Sequence, residues 1–287
     1  MKLFRFTTVM LLFFWGLFFL AGGDVRAQDA DAVSAESLDF GDLFTLYQPY
    51  LGNISAYEPL FFLVGTEPEK STFQISFRYE LFNPEGPLVT SHPWVKGFNF
   101  GYTQTSFWDL KSKSATFEDT SYKPELFHLS ANLPARPSWL QGLFLQSGLH
   151  HESNGQGGEE SRRADILYLK PLLIFYSGES QLGLQIAPKV WIYIDESGNN
   201  GNIADYRGYF EVEAKAGKAE GLVASTALRW AKEGGSVRVD LSWPVHHYLY
   251  DNLSFFIQMQ YVNTLAESIL DYHERTEAFR LGISFVR

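Results

Sequence analysis

A histidine and a serine stand two residues apart near the middle of this chain, and an aspartate follows after a short polar stretch. His151 and Ser153 end one apolar alternating run, and Asp165 begins the next. Residues i and i+2 of a strand lie on one face, so the imidazole and the hydroxyl are expected side by side. A hydroxyl beside an imidazole, with a carboxylate close by, is the arrangement that activates a serine nucleophile. The alternative is an H-x-S pair that only ends a strand where it enters water.

All three candidate residues continue rows of alternate positions that are rich in leucine. The row before His151 reads Leu143, Leu145, Ser147 and Leu149, and the row after Asp165 reads Leu167, Leu169, Pro171, Leu173 and Phe175. Such a row faces the core of a soluble sheet or the lipid around a membrane barrel. An unpaired carboxylate in either place is costly, which argues against the purely structural interpretation.

The first 27 residues have the pattern of an export signal. Lys2 and Arg5 form a basic start, an apolar run follows, and Val25-Arg26-Ala27 is a small-x-small cleavage site. The run is short for a transmembrane helix, although an uncleaved anchor is the alternative. Residues 28–69 are interpreted as a polar N-terminal extension whose short apolar run at 60–64 is not enough for a domain, which leaves one domain at 70–287.

Composition narrows the classes of function. The 287 residues carry a net charge of −10 and include no cysteine. An acidic chain without a basic stripe argues against nucleic-acid binding. In an exported protein the lack of cysteine excludes a disulfide framework, thiol catalysis and thiolate metal sites.

From residue 71 onward the chain alternates between apolar and polar residues. The candidate strands are 71–81, 94–110, 121–133, 139–153, 163–176, 180–195, 205–217, 220–231, 235–244, 253–264 and 275–286. Aromatic residues make up 16% of the chain, and tryptophans fall near strand ends, as in the interfacial girdles of barrels: Trp94, Trp108, Trp139, Trp230 and Trp243. A periplasmic β-sandwich with an aromatic core is the alternative, but runs of ten or more residues exceed ordinary strands. The sequence therefore predicts an all-β fold, a single antiparallel transmembrane β-barrel.

The number of strands follows from closure. Single-chain bacterial barrels have an even number of strands, so eleven recognised runs predict twelve strands. The missing strand is expected around residues 264–275.

The motif His151-Glu152-Ser153-Asn154-Gly155 resembles the H-x-S-N-G motif of the bacterial outer membrane phospholipase A family. Further stretches resemble the family in the same order: 101–108 (GYTQTSFW), 122–127 (YKPELF), Ser161-Arg162, Leu167-Tyr168 and 267–272 (ESILDY). The resemblance covers about residues 70 to 287. It implies a twelve-stranded barrel with a lipid-facing site, calcium dependence and activation as a homodimer.

The resemblance also implies roles for single residues. Ser153 matches the nucleophile, His151 the general base, and Gly155 the glycine whose backbone N–H helps to bind the oxyanion. The implied Ca²⁺ ligands are the main-chain carbonyl of Gln156, the hydroxyl of Ser161 and an oxygen of Ser114 from the partner subunit. Gln104 matches a polar residue between subunits inside the membrane, with an inward-facing polar residue as the alternative.

The sequence departs from the family pattern at two positions. Asp165 stands where the family usually has asparagine as its third catalytic residue, and we expect it to accept a hydrogen bond from His151. Gly158 stands where an acidic residue of a further calcium site is expected. Glu159 and Glu160 are candidates to replace it; the alternatives are a lower calcium affinity and two glutamates that belong to a solvated loop.

The resemblance implies an outer-membrane enzyme that hydrolyses the acyl esters of membrane phospholipids and lysophospholipids. Two competing interpretations remain: a catalytically silent barrel that acts as a pore or structural protein, and a soluble periplasmic serine esterase with a sandwich fold. Activity that depends on Ser153 separates the enzyme from the silent barrel. Extraction only by detergent separates either barrel from the sandwich.

Overall fold

The computed structural model describes residue 48 and residues 50–195, 199–245 and 254–287. The predicted export signal at 1–27 lies outside the described residues, as does most of the predicted extension before residue 50. The residues that follow form one compact unit, Tyr50–Arg287.

Within the described residues, a closed antiparallel barrel is built from twelve strands, with one additional two-residue strand. The strands are β1 (Ile54–Ser55), β2 (Leu60–Gly65), β3 (Ser71–Glu80), β4 (Phe98–Trp108), β5 (Phe117–Leu129), β6 (Gly142–Ser153), β7 (Arg163–Ser177), β8 (Leu182–Asp195), β9 (Phe210–Gly217), β10 (Val223–Ala231), β11 (Gly234–Pro244), β12 (Phe256–Leu265) and β13 (Arg275–Val286). Each of β2 to β13 pairs with its neighbours in sequence, and β13 pairs with β2 to close the ring. The predicted twelve-stranded barrel is confirmed.

Short helical segments occupy several connections. They are the α-helices α1 (Pro87–Ser91) and α2 (Ile203–Arg207) and the 3₁₀ turns Leu51–Asn53, Pro68–Lys70, Pro93–Gly97 and Gly158–Glu160. No helix in the described part of the chain is long and apolar enough to cross a membrane.

The twelfth strand is not where the sequence analysis expects it. Residues 266–274 form the connection between β12 and β13, whereas the missing strand is β2, at Leu60–Gly65. Phe61 and Leu63 are buried inside the barrel, while Phe62 and Val64 alternate with them on the other side. Because both faces of β2 are apolar, the strand has no two-residue alternation to reveal it. The barrel thus begins at Leu60 rather than at residue 70.

Alternation sorts the side chains between lipid and the interior. The outer rows carry exposed apolar residues, for example Leu149 and Leu167, which are 50% and 46% exposed. The inner rows carry charged groups that are paired, such as Lys170 with Glu213 on β9 at 2.6 Å and Arg280 with Glu267 of the β12–β13 connection at 2.6 Å. An apolar exterior with a polar, hydrogen-bonded interior is the arrangement of a transmembrane β-barrel.

Candidate active site

The register of β6 and β7 places two of the candidate residues directly opposite each other. His151 pairs with Asp165 across the two strands, so their Cβ atoms lie within the short spacing of a cross-strand pair. His151 Nδ1 lies 2.6 Å from Asp165 Oδ1. With the carboxylate accepting this hydrogen bond, Nδ1 carries the proton and Nε2 is the atom able to act as a base.

Ser153 lies on the same outer face as His151, at the last residue of β6. Its cross-strand partners are Tyr122 on β5 and Arg163 on β7. Within the described residues no hydrogen bond joins Ser153 to His151. Catalytic hydrogen bonds often shorten only when substrate binds, so the shared face is the more informative observation.

The three residues border the apolar outer surface of the barrel. The side chains of His151 and Asp165 are 41% and 28% exposed. The next outward pair along the same two strands is Leu149 and Leu167, both exposed. The candidate site therefore opens sideways, toward the phase that surrounds the barrel.

The turn that follows Ser153 is organised by the side chain of Asn154. Its Oδ1 accepts hydrogen bonds from the backbone N–H of Gln156 at 3.3 Å and of Arg162 at 3.0 Å, and its Nδ2 donates to the carbonyl of Glu160 at 2.8 Å. Sequence reasoning assigned no role to Asn154, although an asparagine at the start of a glycine-rich turn is a known signal for such side-chain-to-backbone bonds.

Gly155 occupies a conformation that other residues adopt at a cost. Its φ of +69° lies in the left-handed region, and a Cβ added there would come within 3.0 Å of Tyr122 Cε2. A glycine therefore lets the backbone turn sharply beside Ser153. This backbone is the part of the chain to which the sequence analysis assigns the oxyanion role.

The predicted calcium ligands fall in two turns. Gln156 is exposed and Ser161 is half-buried in the turn between β6 and β7, whereas Ser114 is exposed in the turn between β4 and β5. Because Tyr122 on β5 pairs with Ser153, both turns lie at the same end of the barrel. The structure brings Gln156 and Ser161 into one turn and leaves Ser114 in another.

The chemistry of this turn suits a hard cation. The carbonyl of Gly158 accepts from Asn199 Nδ2 at 2.7 Å, and that of Glu160 accepts from Asn154, so both are already engaged. The carbonyl of Gln156 and the hydroxyl of Ser161 are the oxygens to which the sequence analysis assigns Ca²⁺, which takes neutral oxygens and water readily. In the described part of the chain no group of three or more His, Asp or Glu side chains is arranged to hold a metal. A calcium ion held by these two ligands would be bound through neutral oxygens.

The second departure from the family pattern also lies in this turn. Gly158 has a φ of +66°, and the side chains of Glu159 and Glu160 are exposed. Their replacement of the missing acidic residue stays a prediction.

Gln104 faces outward. It pairs with Ile75, which is exposed on the outer surface, and it shares its row with Tyr102 and Ser106. Tyr102 Oη donates to Gln104 Oε1 at 3.1 Å, and Gln104 Nε2 donates to Ser106 Oγ at 3.3 Å. The alternative of an inward-facing polar residue is therefore wrong, and an outward polar row crosses part of β4.

Comparison with known proteins places these features in a family. The sequence model of the family described as Phospholipase A1 matches residues 58–285. A relative from Neisseria meningitidis serogroup B is 30% identical over 195 residues, covering 65% of this chain and 48% of the relative. Phospholipase A1 of Proteus vulgaris is 26% identical over 185 residues, covering 63% of this chain and 60% of the relative. The matched part of the chain thus spans about half to three fifths of these curated relatives.

Solved structures share the fold. Outer membrane phospholipase A from Escherichia coli has a TM-score of 0.65 at 20% sequence identity, over 82% of this chain and 91% of that one. The Salmonella typhi outer membrane phospholipase, solved as a dimer with bound calcium, has a TM-score of 0.65 at 22% identity, over 82% of this chain and 92% of that one. At these identities the likeness establishes the barrel architecture.

Proposed function

Because the chain belongs to the phospholipase A1 family, we propose that it is a calcium-dependent phospholipase A of an outer membrane. It would hydrolyse acyl esters of phospholipids and lysophospholipids through Ser153. The observation that carries this proposal is the 2.6 Å hydrogen bond between His151 and Asp165 on the outer face, two residues from Ser153. A buttressed histidine beside a hydroxyl is the arrangement of serine hydrolases, and here it opens toward lipid.

The proposed mechanism follows from these positions. His151 Nε2 takes the proton of Ser153 Oγ while that oxygen attacks the ester carbonyl, and Asp165 holds the imidazole and stabilises the imidazolium. The proton then passes from His151 to the oxygen of the leaving alcohol, which leaves an acyl-serine. Water attacks this ester with His151 again as base, and the fatty acid is released. The backbone N–H of Gly155 stabilises the negative oxygen in both steps.

The calcium part of the proposal assigns two residues of this chain. Gln156 would hold the ion by its main-chain carbonyl and Ser161 by its hydroxyl, while Ser114 would reach it from the partner subunit. The ion supplies Lewis-acid stabilisation of negative charge near the oxyanion when it is bound. The Asn154 side chain accepts hydrogen bonds from the backbone N–H groups of Gln156 and Arg162, and this supports the turn that carries the two proposed ligands.

The main competitor is a catalytically silent barrel that acts as a pore or structural protein, and the interior argues against the pore. Tyr57, ahead of β2, lies inside the barrel, where its ring stacks on Phe127 with centroids 5.0 Å apart. Gln146 Nε2 donates to Tyr57 Oη at 2.7 Å and to Tyr168 Oη at 2.8 Å. Side chains that meet across the interior favour a filled barrel whose chemistry is on the outside.

Fatty-acid release from phospholipid in detergent micelles tests the proposal. We expect release by the purified protein with Ca²⁺ and a fall of at least about 100-fold with a chelator, since Lewis-acid stabilisation is worth several kcal/mol and about 1.36 kcal/mol is tenfold. Restored Ca²⁺ should restore the rate. Mg²⁺ should not, since it demands tighter octahedral geometry.

The control for this experiment is the folded state of the barrel, followed by the heat-modifiable mobility of the protein on gels. A folded barrel with equal rates in Ca²⁺ and chelator would contradict the calcium role. A folded barrel without any release would favour the silent alternative.

The proposal includes a homodimer. An acyl chain needs a cleft, and a second copy placed against an outer wall of the barrel would form one. On the outer row of β4, Tyr102 and Gln104 are partly exposed toward lipid, where hydrogen bonding to a partner is favourable, whereas Ser106 is buried. The dimeric Salmonella typhi structure, with its shared fold, also supports this proposal.

Sedimentation in detergent with Ca²⁺ tests the dimer. Gln104→Ala should weaken association about 3- to 30-fold, because polar contacts within membranes are worth roughly 0.6 to 2 kcal/mol. Thr226→Ala is the matched control, since Thr226 lies on an outer row of β10, away from β4. Equal association constants for the two variants would remove Gln104 from the interface.

A further inference from the structure

A second pair of residues lies directly behind the candidate catalytic pair. Glu152 and Ala164 are cross-strand partners on β6 and β7, one position from His151 and Asp165. Because side chains alternate, Glu152 and Ala164 point inward where His151 and Asp165 point outward. Both inward residues are only 4% exposed. Residues that contact Glu152 and Ala164 therefore constrain the same short stretch of backbone that carries His151 and Asp165.

Glu152 is held by an arginine from a distant connection. Arg207 is the last residue of α2, between β8 and β9, and it meets the carboxylate with two nitrogens: Nη1 on Oε2, and Nη2 on Oε1 at 3.1 Å. Arg207 Nη2 also donates to the carbonyl of Ala266, between β12 and β13, at 3.3 Å. One guanidinium thus ties β6 to two connections of the barrel. Burial opposes the charged form of Arg207, but the Glu152 carboxylate outweighs it and raises the pKa of the guanidinium.

Ala164 is held by the same two connections. It packs in a buried apolar cluster with Ile203 of α2 and with residues of the β12–β13 connection, namely Ala266, Ile269 and Tyr272. Tyr272 Oη donates to Asn202 Oδ1 at 2.5 Å, which joins that connection to the residue before α2. We call the assembly of α2 and residues 266–272 the inner cap.

We propose that Glu152 and Arg207 are positioning residues, through which the inner cap sets the geometry of His151 and Ser153 on the opposite face of β6. This inference rests on the proposed function. Glu152 is the residue between His151 and Ser153, so a shift of its side chain moves the backbone that carries both. A bidentate carboxylate–guanidinium pair fixes direction as well as distance, which an apolar contact does not.

The energetics of a buried ion pair indicate what the Glu152–Arg207 pair contributes. A buried ion pair adds little stability beyond that of an apolar pair of similar volume, but removal of one partner leaves an uncompensated charge. Removal of either charge is therefore expected to displace the partner that stays behind. Because such a pair adds little stability, we assign it a role in positioning the strand rather than in stabilising the fold.

Hydrolysis by Glu152→Gln tests the proposal. The amide of this variant keeps the shape of the side chain but loses the charge that holds Arg207. We expect kcat to fall about 10- to 100-fold with KM within about twofold, since a small misplacement of catalytic groups costs this much. Arg207→Lys, which keeps the charge but not the double contact, should give a smaller loss, and this graded series guards against a variant that does not fold.

Reaction with a long-chain sulfonyl fluoride gives a second readout that needs no ester substrate. Ser153 Oγ forms a bond to sulfur, fluoride leaves, and the serine proton goes to His151. The rate of this reaction should fall in Glu152→Gln in parallel with kcat. The control is Glu213→Gln, which breaks the partly buried Lys170–Glu213 pair between β7 and β9 and should leave kcat unchanged.

Two outcomes would overturn the inference: an unchanged kcat in folded Glu152→Gln, or an equal loss in Glu213→Gln, which would indicate general loosening of the barrel. Failure of the proposed function looks different. Wild-type protein would then release no fatty acid, while the sulfonylation rate of Ser153 would still report whether Glu152 sets its geometry.

Discussion

Replacement of Ser153 with alanine is expected to lower fatty-acid release at least about 10⁴-fold while the barrel still folds. Loss of the nucleophilic serine removes the acyl-serine route, so only the oxyanion donors and substrate binding would remain to assist water. Ser153 is half-buried at the end of β6 and its substitution takes away one hydroxyl, so heat-modifiable mobility should match the wild type. Release of fatty acid from micelles with Ca²⁺ is the measurement.

Ser147→Ala is the matched control for this experiment. Ser147 lies on the same strand, in the same outward row, three outward positions before Ser153. The two variants lose the same group from the same surface, so a general effect of a serine on the lipid-facing wall would appear in both. Full activity in Ser153→Ala would show that another group attacks the ester. Equal losses in both variants would point to binding at the wall rather than to a nucleophile.

Much of the barrel could be predicted from the sequence because lipid and the polar interior impose opposite demands on alternate residues. β6 and β7 run at 142–153 and 163–177, close to the predicted 139–153 and 163–176. Where this contrast is missing, the prediction is wrong. β2 has apolar residues on both faces, and the predicted strand at 205–217 begins only at Phe210, because residues 203–207 turn into α2. The position of a short helix in a connection depends on its tertiary contacts, and these contacts leave no periodic pattern in the sequence.

The sequence also predicts one part of the candidate site and not the other. Parity predicts that His151, Ser153 and Asp165 continue apolar rows, because parity depends only on position along a strand, and the barrel makes that face the outer one. The direct pairing of His151 with Asp165 depends on the register of β6 and β7, which the turn between them sets. Asn154 fixes that turn through three hydrogen bonds to the backbone. The Glu152–Arg207 pair joins residues far apart in sequence, and no local pattern announces it.

Substitution of Asp165 is expected to have the second large effect on activity. Two variants separate the contribution of its shape from that of its charge. Asp165→Ala removes the acceptor that holds His151 Nδ1, and we expect activity to fall about 10³-fold or more, as when a serine hydrolase loses its third residue. Asp165→Asn keeps an oxygen in the same place but loses the charge that stabilises the imidazolium. A smaller fall is expected, about tenfold, because a charge-assisted hydrogen bond is roughly twice as strong as a neutral one.

The two rates must be measured across the accessible pH range, because an amide can also present its N–H₂ to His151 and select the wrong tautomer. Asp165 pairs directly with His151 at 2.6 Å on a surface that borders lipid, where a charge is less well screened than in water. If Asp165→Asn retained full activity at every pH, the charge would be irrelevant and Asp165 would serve only as an acceptor. If Asp165→Ala were also fully active, the orientation of His151 would have to come from the strand backbone alone, and the inner pair behind it would become the main determinant of the site.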